Sequence, residues 1–153
     1  MDSIIYDLNR HLTYRLARLQ SQLSAQATDI LKQHTKISLS EWRVLALLTD
    51  PTITFQKDVL KAMGLDKAQI SRTLKRLSEK KLIILTSDKQ DQRNRLVTIT
   101  DEGKALVQKM VPIMLKRQAH LQSDFNETEL INLFSYIEIL EKKTGQTKDF
   151  ESN

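Results

Sequence analysis

The residues best suited to chemistry in this 153-residue sequence are basic, and they are concentrated in one segment. Eleven of the 24 lysines and arginines lie between Lys57 and Arg95, together with only five of the 19 acidic residues. The segment therefore has a surplus of six positive charges, whereas the rest of the chain is close to neutral. Such a local surplus is typical of a surface that binds a polyanion. Charge alone is equally compatible with a solvated surface of a basic protein.

Composition argues against several other kinds of chemistry. The chain has no cysteine, which excludes a disulfide scaffold, a cysteine zinc site, an iron–sulfur cluster and a thiol redox switch. Its three histidines, at positions 11, 34 and 120, lack the spacing of metal ligands. The sequence contains no glycine-rich phosphate loop, nucleophile elbow or Cys–His pair. We therefore expect no enzyme activity, no metal and no cofactor.

Residues 67–80, within the basic segment, are predicted to form an amphipathic helix that Asp66 caps. At 100° per residue, Ile70, Leu74 and Leu77 fall on one buried stripe. Arginine can donate two hydrogen bonds to guanine and glutamine can pair twice with adenine, so the opposite side suits the major groove of DNA. An ordinary charged helix face is the alternative. The opposite and flanking positions hold Ala68, Gln69, Ser71, Arg72, Lys75, Arg76 and Glu79.

A short helix and a tight turn are predicted immediately before this helix. Residues 55–63 have helical periodicity, and Gly64 is placed to end the helix in the left-handed conformation. Two helices joined by such a short glycine-containing turn form a helix-turn-helix arrangement. The second helix of this motif is the one that reads DNA in known cases.

A β-hairpin is predicted after the helix-turn-helix. Residues 82–86 and 96–100 are rich in β-branched side chains, which predicts two antiparallel strands. The polar residues 87–95 between them form a long loop, or wing. Arg93 or Arg95 at the loop tip could enter a narrow minor groove, where the negative potential attracts guanidinium groups. A mobile charged hairpin loop is the alternative.

Long helices are predicted on both sides of these elements. Apolar residues recur at helical spacing over residues 4–33, and a helix of this length spans roughly 45 Å. One small core cannot cover it, so we expect part of its leucine stripe to contact another subunit. A capping box at Ser38 and Glu41 starts a second helix, which ends at Asp50-Pro51.

Two further helices are predicted after the wing. They begin at Thr100 and Asn126, with a kink near Pro112 in the first and Gly145 at the end of the second. The predicted fold is therefore mainly α with a small β-wing, a winged helix-turn-helix flanked by long helices.

The chain resembles the MarR family of bacterial winged helix-turn-helix transcription regulators over roughly residues 30–145. The family's G-L-D-K-S-x-V-T-R segment corresponds to residues 64–72, its K-G-L to residues 80–82, its D-x-R wing to residues 91–93, and its L-T-x-x-G to the run that ends at Gly103. Ala68 replaces the usual hydroxyl residue, so one contact is expected to be missing. Lys81 stands where glycine is common, so we expect a less sharply turned helix end.

The resemblance implies a cytoplasmic homodimer that binds a pseudo-palindromic site in double-stranded DNA, usually as a repressor that a small anionic or phenolic effector releases. It implies one domain, with dimerisation helices at residues 1–34 and 101–145, a winged helix-turn-helix at 38–100 and a flexible tail at 146–153. By family analogy the fourth helix reads the major groove and the wing reaches the minor groove. The predicted DNA-binding residues are Lys67, Gln69, Ser71, Arg72, Lys75, Arg76, Lys89, Arg93 and Arg95.

An effector pocket is expected between the first two helices and the fifth. Tyr14 and Trp42 would supply aromatic walls, and Arg18 would supply a guanidinium for a carboxylate. A core role for Trp42, and interface packing or solvent exposure for the other two, are the alternatives. The alternative function is a winged-helix protein-interaction module without DNA readout, which would present an apolar or acidic face. The sequence shows neither a membrane-spanning apolar run nor an export signal.

Overall fold

The computed structural model describes residues 6–87 and 95–144. It confirms the predicted fold class of a mainly α chain with a two-stranded wing. The chain divides into two compact units, one ending at Met110 and the other beginning at Val111. The helices are α1 (Leu12–His34), α2 (Leu39–Leu47), α3 (Gln56–Met63), α4 (Lys67–Glu79), α5 (Asp101–Gln122) and α6 (Glu127–Thr144), and the strands are β1 (Ile83–Ser87) and β2 (Arg95–Ile99).

The first helix is interrupted where the sequence predicts continuity. A 3₁₀ turn at Leu8–Arg10 precedes α1, and His11 between them has extended backbone angles. The Asp7 carboxylate accepts a hydrogen bond from the Asn9 amide at 3.0 Å. The Tyr6 ring stacks on the His11 ring with 4.1 Å between centroids. The prediction of one helix from residue 4 is therefore wrong, because local side-chain contacts stabilise a break that needs neither glycine nor proline.

Only the C-terminal end of α1 belongs to the core of the first unit. Ala27 and Leu31 are buried, whereas the leucines of the preceding turns face outward. The predicted leucine stripe is thus only partly covered by the unit's own core. The exposed members are Leu8, Leu12, Leu16 and Leu19.

Local hydrogen bonds begin α2 and α4 where the sequence predicts. The Glu41 amide donates to Ser38 Oγ at 3.2 Å, and the Ser38 amide donates to Glu41 Oε2 at 2.6 Å, which completes a capping box. Asp66 Oδ1 accepts from the Gln69 amide at 2.9 Å at the start of α4. Gly64 adopts φ 60° and ψ 21°, the left-handed turn expected between α3 and α4.

Asp50 stabilises the turn between α2 and α3. Its Oδ1 accepts hydrogen bonds from the Thr52 hydroxyl at 2.7 Å and the Thr52 amide at 2.9 Å. These bonds favour the charged carboxylate and lower the pKa of Asp50 below its ordinary value. The regular helix ends at Leu47, three residues before the predicted end at Asp50-Pro51.

The wing is a two-stranded antiparallel sheet with one unpredicted neighbour. Ile83 pairs with Ile99 at its base and Ser87 with Arg95 at its far end, so both strands are shifted by one residue from the predicted bounds. The Val97 amide donates to the Thr54 carbonyl at 2.8 Å, and a β-bridge joins the adjacent Phe55 and Leu96. The chain just before α3 therefore fixes the wing to the helix-turn-helix.

The end of α4 turns sharply at Lys81, contrary to expectation. Lys81 has φ 60°, its amide donates to the Ser78 carbonyl at 2.9 Å, and the Leu82 amide donates to the Leu77 carbonyl at 3.0 Å. This is the Schellman pattern that glycine usually completes. A lysine there costs roughly 1–2 kcal/mol of backbone strain. The Thr100 hydroxyl, which donates to the Lys81 carbonyl at 2.8 Å, helps to hold the turn.

The start of α5 packs against this turn. Thr100 Oγ1 accepts from the Gly103 amide at 3.1 Å, as expected for a helix cap. A Cβ on Gly103 would overlap the Leu82 carbonyl oxygen and lie 2.8 Å from Ile99 Cγ1. Only glycine therefore permits this close approach, and α5 then remains helical through Pro112.

The second unit contains the rest of α5 and α6. Asn126 Oδ1 accepts from the Glu129 amide, and Glu129 Oε2 accepts from the Asn126 amide, both at 2.9 Å, which confirms the predicted capping box. No residue of α6 is buried. The predicted helix end at Gly145 and the tail at 146–153 lie outside the described residues.

Candidate nucleic-acid interface

The fourth helix presents the polar face that the sequence predicts. Ile70, Leu74 and Leu77 are buried, and Thr73 joins them because its hydroxyl donates to the Gln69 carbonyl at 3.0 Å. The burial of Thr73 was missed, since threonine carries no apolar signal at that position. Of the predicted contacts on α4, Ser71 is half-buried and the others are exposed: Lys67, Gln69, Arg72, Lys75 and Arg76.

The acidic residues near this face leave its positive charge accessible. Asp58 accepts from the Phe55 amide at 2.9 Å and Asp66 caps α4, so both carboxylates are engaged at helix starts. Lys75 approaches Glu79 at 4.0 Å, with both side chains more than half exposed. Exposed pairs of this kind contribute little. Lys75 thus remains available to an anion.

Lys80 differs from the other cations of the segment that the structure describes. Its Nζ lies 2.7 Å from Oε2 of Glu41, a carboxylate that is almost completely buried. The charge of Lys80 is therefore compensated within the fold, and the exposed charge is lower than the sequence count indicates. The pair was missed because 39 residues separate its members and no local motif links them.

Of the three DNA-binding residues predicted on the wing, the structure describes only Arg95. Arg95 is exposed and lies opposite Ser87 at the start of β2, so it sits at the base of the connecting loop and not at its tip. The strand begins one residue earlier than predicted, which accounts for the difference. Lys89 and Arg93 lie outside the described residues. The role of all three in binding stays a prediction.

The predicted effector residues have different surroundings. Trp42 is 9% exposed and belongs to the core of the first unit, in agreement with the alternative of a core anchor. Tyr14 and Arg18 are exposed on α1. Arg18 lines an open concavity of about 440 Å³ along α1 and the preceding 3₁₀ turn, together with Asn9, Arg15, Leu16, Leu19 and Gln22. The effector pocket itself stays a prediction.

Within residues 6–87 and 95–144, histidine and acidic side chains form no group of three or more that could hold a metal ion. None of the helices in these described residues combines the length and the hydrophobicity that a membrane span requires.

Comparison with known proteins points to one family. A family model described as MarR family matches residues 35–94, from the end of α1 into the wing. The HTH-type transcriptional regulator TcaR of Staphylococcus aureus (strain Newman) is 28% identical over 120 residues, which cover 77% of this chain and 79% of TcaR.

Solved structures agree over nearly the whole chain. A MarR/EmrR family transcriptional regulator from Acinetobacter sp. ADP1 superposes with a TM-score of 0.85 at 28% identity, covering 93% of this chain and 100% of that one. Bordetella bronchiseptica BpsR, whose DNA binding is regulated by 6-hydroxynicotinic acid, superposes with a TM-score of 0.79 at 26% identity, covering 90% and 97%. With a matching family model, similar regulators and a shared winged-helix fold, the chain is similar to the MarR family of winged-helix transcriptional regulators.

Proposed function

We propose that this chain forms a homodimer that binds a specific pseudo-palindromic site in double-stranded DNA and represses transcription from it. The observation that carries the proposal is the exposed face of α4, which follows the left-handed turn at Gly64 and holds Arg72 opposite the buried apolar stripe, with Gln69 and Arg76 flanking it. A helix presented in this way fits the major groove, where guanidinium and amide groups distinguish base edges.

A small effector is part of the proposal. DNA binding by BpsR is regulated by 6-hydroxynicotinic acid, an aromatic acid of the anionic class expected from the sequence resemblance. By analogy, a small anionic or phenolic compound would release this chain from its site. Tyr14 and Arg18 remain the proposed contacts on α1. Trp42, which is almost completely buried, would form an aromatic wall at the bottom of the pocket.

The protein-interaction alternative has less support. It requires an apolar or acidic outer face on α4. The exposed residues there are mainly basic and amide side chains, with Glu79 as the acidic exception at the C-terminal end. The electrostatic complement of such a face is a polyanion.

Replacement of Arg72 by alanine tests direct readout. Arg72 is exposed near the middle of α4, where a guanidinium can donate twice to one guanine. We expect Arg72→Ala to weaken binding to the cognate duplex by about 10- to 100-fold and to relax the preference at one base pair. Fluorescence anisotropy on the cognate duplex and its single-base variants measures both effects.

The control for this substitution is Lys116→Ala, which removes one exposed positive charge from α5. It should leave the base preference unchanged. An equal loss for Arg72→Ala on random-sequence duplexes would show that Arg72 contacts a phosphate, and an unchanged affinity would contradict its role in reading DNA.

Exposed apolar side chains support the homodimer. In the first unit they lie on the 3₁₀ turn and the first half of α1, and in the second unit they lie on α5, on α6 and in the turn between these two helices. A monomer that left such surfaces in water would be prone to aggregate. A second copy of the chain is the proposed cover. Among them are Leu8, Leu12, Leu16 and Leu19 in the first unit, and Leu115, Phe125, Ile131, Phe134, Tyr136 and Ile139 in the second.

A charge placed on these surfaces should dissociate the dimer. Leu12 and Phe134 are each 55% exposed, so a double substitution by glutamate should leave each unit folded. We expect light scattering to show a dimer for the unmodified chain and a monomer for the variant. Loss of the second DNA contact should weaken operator binding by about 100-fold or more. Gln33→Glu, on the exposed surface of α1, is the matched control. An unmodified chain that is monomeric at micromolar concentration would contradict the proposal.

A further inference from the structure

An ion pair anchors the C-terminal end of α4, at the opposite end of the helix from the predicted base-reading residue Gln69. The Nζ of Lys80 lies 2.7 Å from Oε2 and 2.9 Å from Oε1 of Glu41, and it also donates to the Lys36 carbonyl at 2.9 Å. Glu41 is 1% exposed, and its Oε2 also accepts the Ser38 amide at 2.6 Å. This carboxylate therefore joins the start of α2 to the end of α4.

The segment between α1 and α2, where Lys80 contacts the Lys36 carbonyl, is itself held in place. The Thr35 hydroxyl donates to the Leu31 carbonyl at 2.8 Å and closes the end of α1. Lys109 of α5 donates to the His34 carbonyl at 2.8 Å. The ammonium group of Lys80 thus attaches α4 to backbone that both α1 and α5 hold in place.

An anchor at this end of α4 controls the position of the other end. Gln69 precedes Lys80 by eleven residues, about 16 Å along a helix. A rotation of about 5° around the anchored end would move Gln69 by about 1.4 Å. Hydrogen bonds to base edges tolerate a displacement of only about a few tenths of an ångström between donor and acceptor. Lysine and arginine side chains that contact phosphates have no such requirement for base geometry.

We propose that Glu41 and Lys80 are positioning residues for sequence discrimination. Their ion pair holds α4 at the angle that base contacts require, without either residue touching a base. This role rests on the proposed DNA-reading function, in which sequence preference and overall affinity for DNA have different structural sources. The ion pair supports the preference for the cognate sequence, and the general attraction to DNA comes from the exposed cations.

The test compares two duplexes of equal length, one selected from fragments of the source genome and one of random sequence. Lys80→Met removes the ammonium at similar volume. Glu41→Gln removes the charge but keeps an acceptor for the Ser38 amide. We expect each substitution to reduce the ratio of the dissociation constant for the random duplex to that for the cognate duplex by about tenfold or more. This is the effect of losing one base contact. Binding to the random duplex should change no more than in Lys142→Met, whose lysine pairs with Glu138 on α6.

A conservative variant and a folding measurement separate positioning from stability. Lys80→Arg keeps the positive charge and should restore most of the discrimination. Circular dichroism at the assay temperature tests whether each variant is folded. If Lys80→Met is unfolded, the comparison of the two duplexes uses Glu41→Gln. An unchanged ratio, or equal losses on both duplexes, would overturn the inference. An unmodified chain that bound both duplexes equally would instead overturn the proposed function.

Discussion

Raising the salt concentration from 50 to 200 mM should weaken binding of this chain to double-stranded DNA by about a thousandfold or more. The reason is the release of counterions when lysines and arginines neutralise phosphates, which becomes less favourable as salt rises. The exposed cations on α3 and α4 recur in both subunits of the proposed dimer, so six to ten phosphate contacts are a reasonable order of magnitude. The exposed cations of these two helices are Lys57, Lys61, Lys67, Arg72, Lys75 and Arg76.

Titrations at four or more salt concentrations give the slope of log affinity against log salt. Lys67→Ala, at the first position of α4, should reduce that slope by about one per subunit. Lys142→Ala, which removes a charge from α6, should leave it unchanged. A slope near zero for the unmodified chain would mean that the exposed cations do not meet phosphates.

Gly103→Ala should lower the free energy of unfolding by about 2 kcal/mol or more. The added methyl group would overlap the Leu82 carbonyl oxygen, which is backbone and cannot rotate away. The start of α5 would have to move away from the turn that follows α4. DNA binding should fall as well, because that turn joins α4 to the wing. Urea denaturation followed by circular dichroism measures the change in stability.

Gly64→Ala is the matched control for this substitution. A Cβ on Gly64 would have open space around it, although the residue has φ 60°. Its cost should be limited to backbone strain, roughly 1–2 kcal/mol. A Gly103→Ala variant as stable as the unmodified chain would contradict the close packing between α5 and the turn.

The sequence predicts those features of the fold that nearby residues determine. Capping boxes at Ser38 and Asn126 join residues three apart, so their hydrogen bonds follow from the local pattern. The left-handed turn at Gly64 has an equally local signal. The outward face of α4 follows from helical periodicity, which is why most of the predicted contacts there are exposed.

Features that depend on distant residues were not predictable in the same way. The capping role of Glu41 is visible in the sequence, but its pairing with Lys80 depends on how α2 and α4 pack. The β-bridge between Phe55 and Leu96 likewise joins segments that are far apart in sequence. At Lys81, a hydrogen bond from the distant Thr100 hydroxyl helps to hold a left-handed conformation that lysine does not favour.

Selection of bound fragments from the source genome by the full chain tests the central claim most directly. We predict that the recovered fragments share one pseudo-palindromic motif with half-sites about 10–10.5 base pairs apart, or a multiple of that spacing. A duplex with this motif should bind about a thousandfold or more tighter than a random duplex at the same salt. Recovery of fragments without a shared motif, or no binding even at low salt, would contradict a dimer that reads DNA with the exposed face of α4.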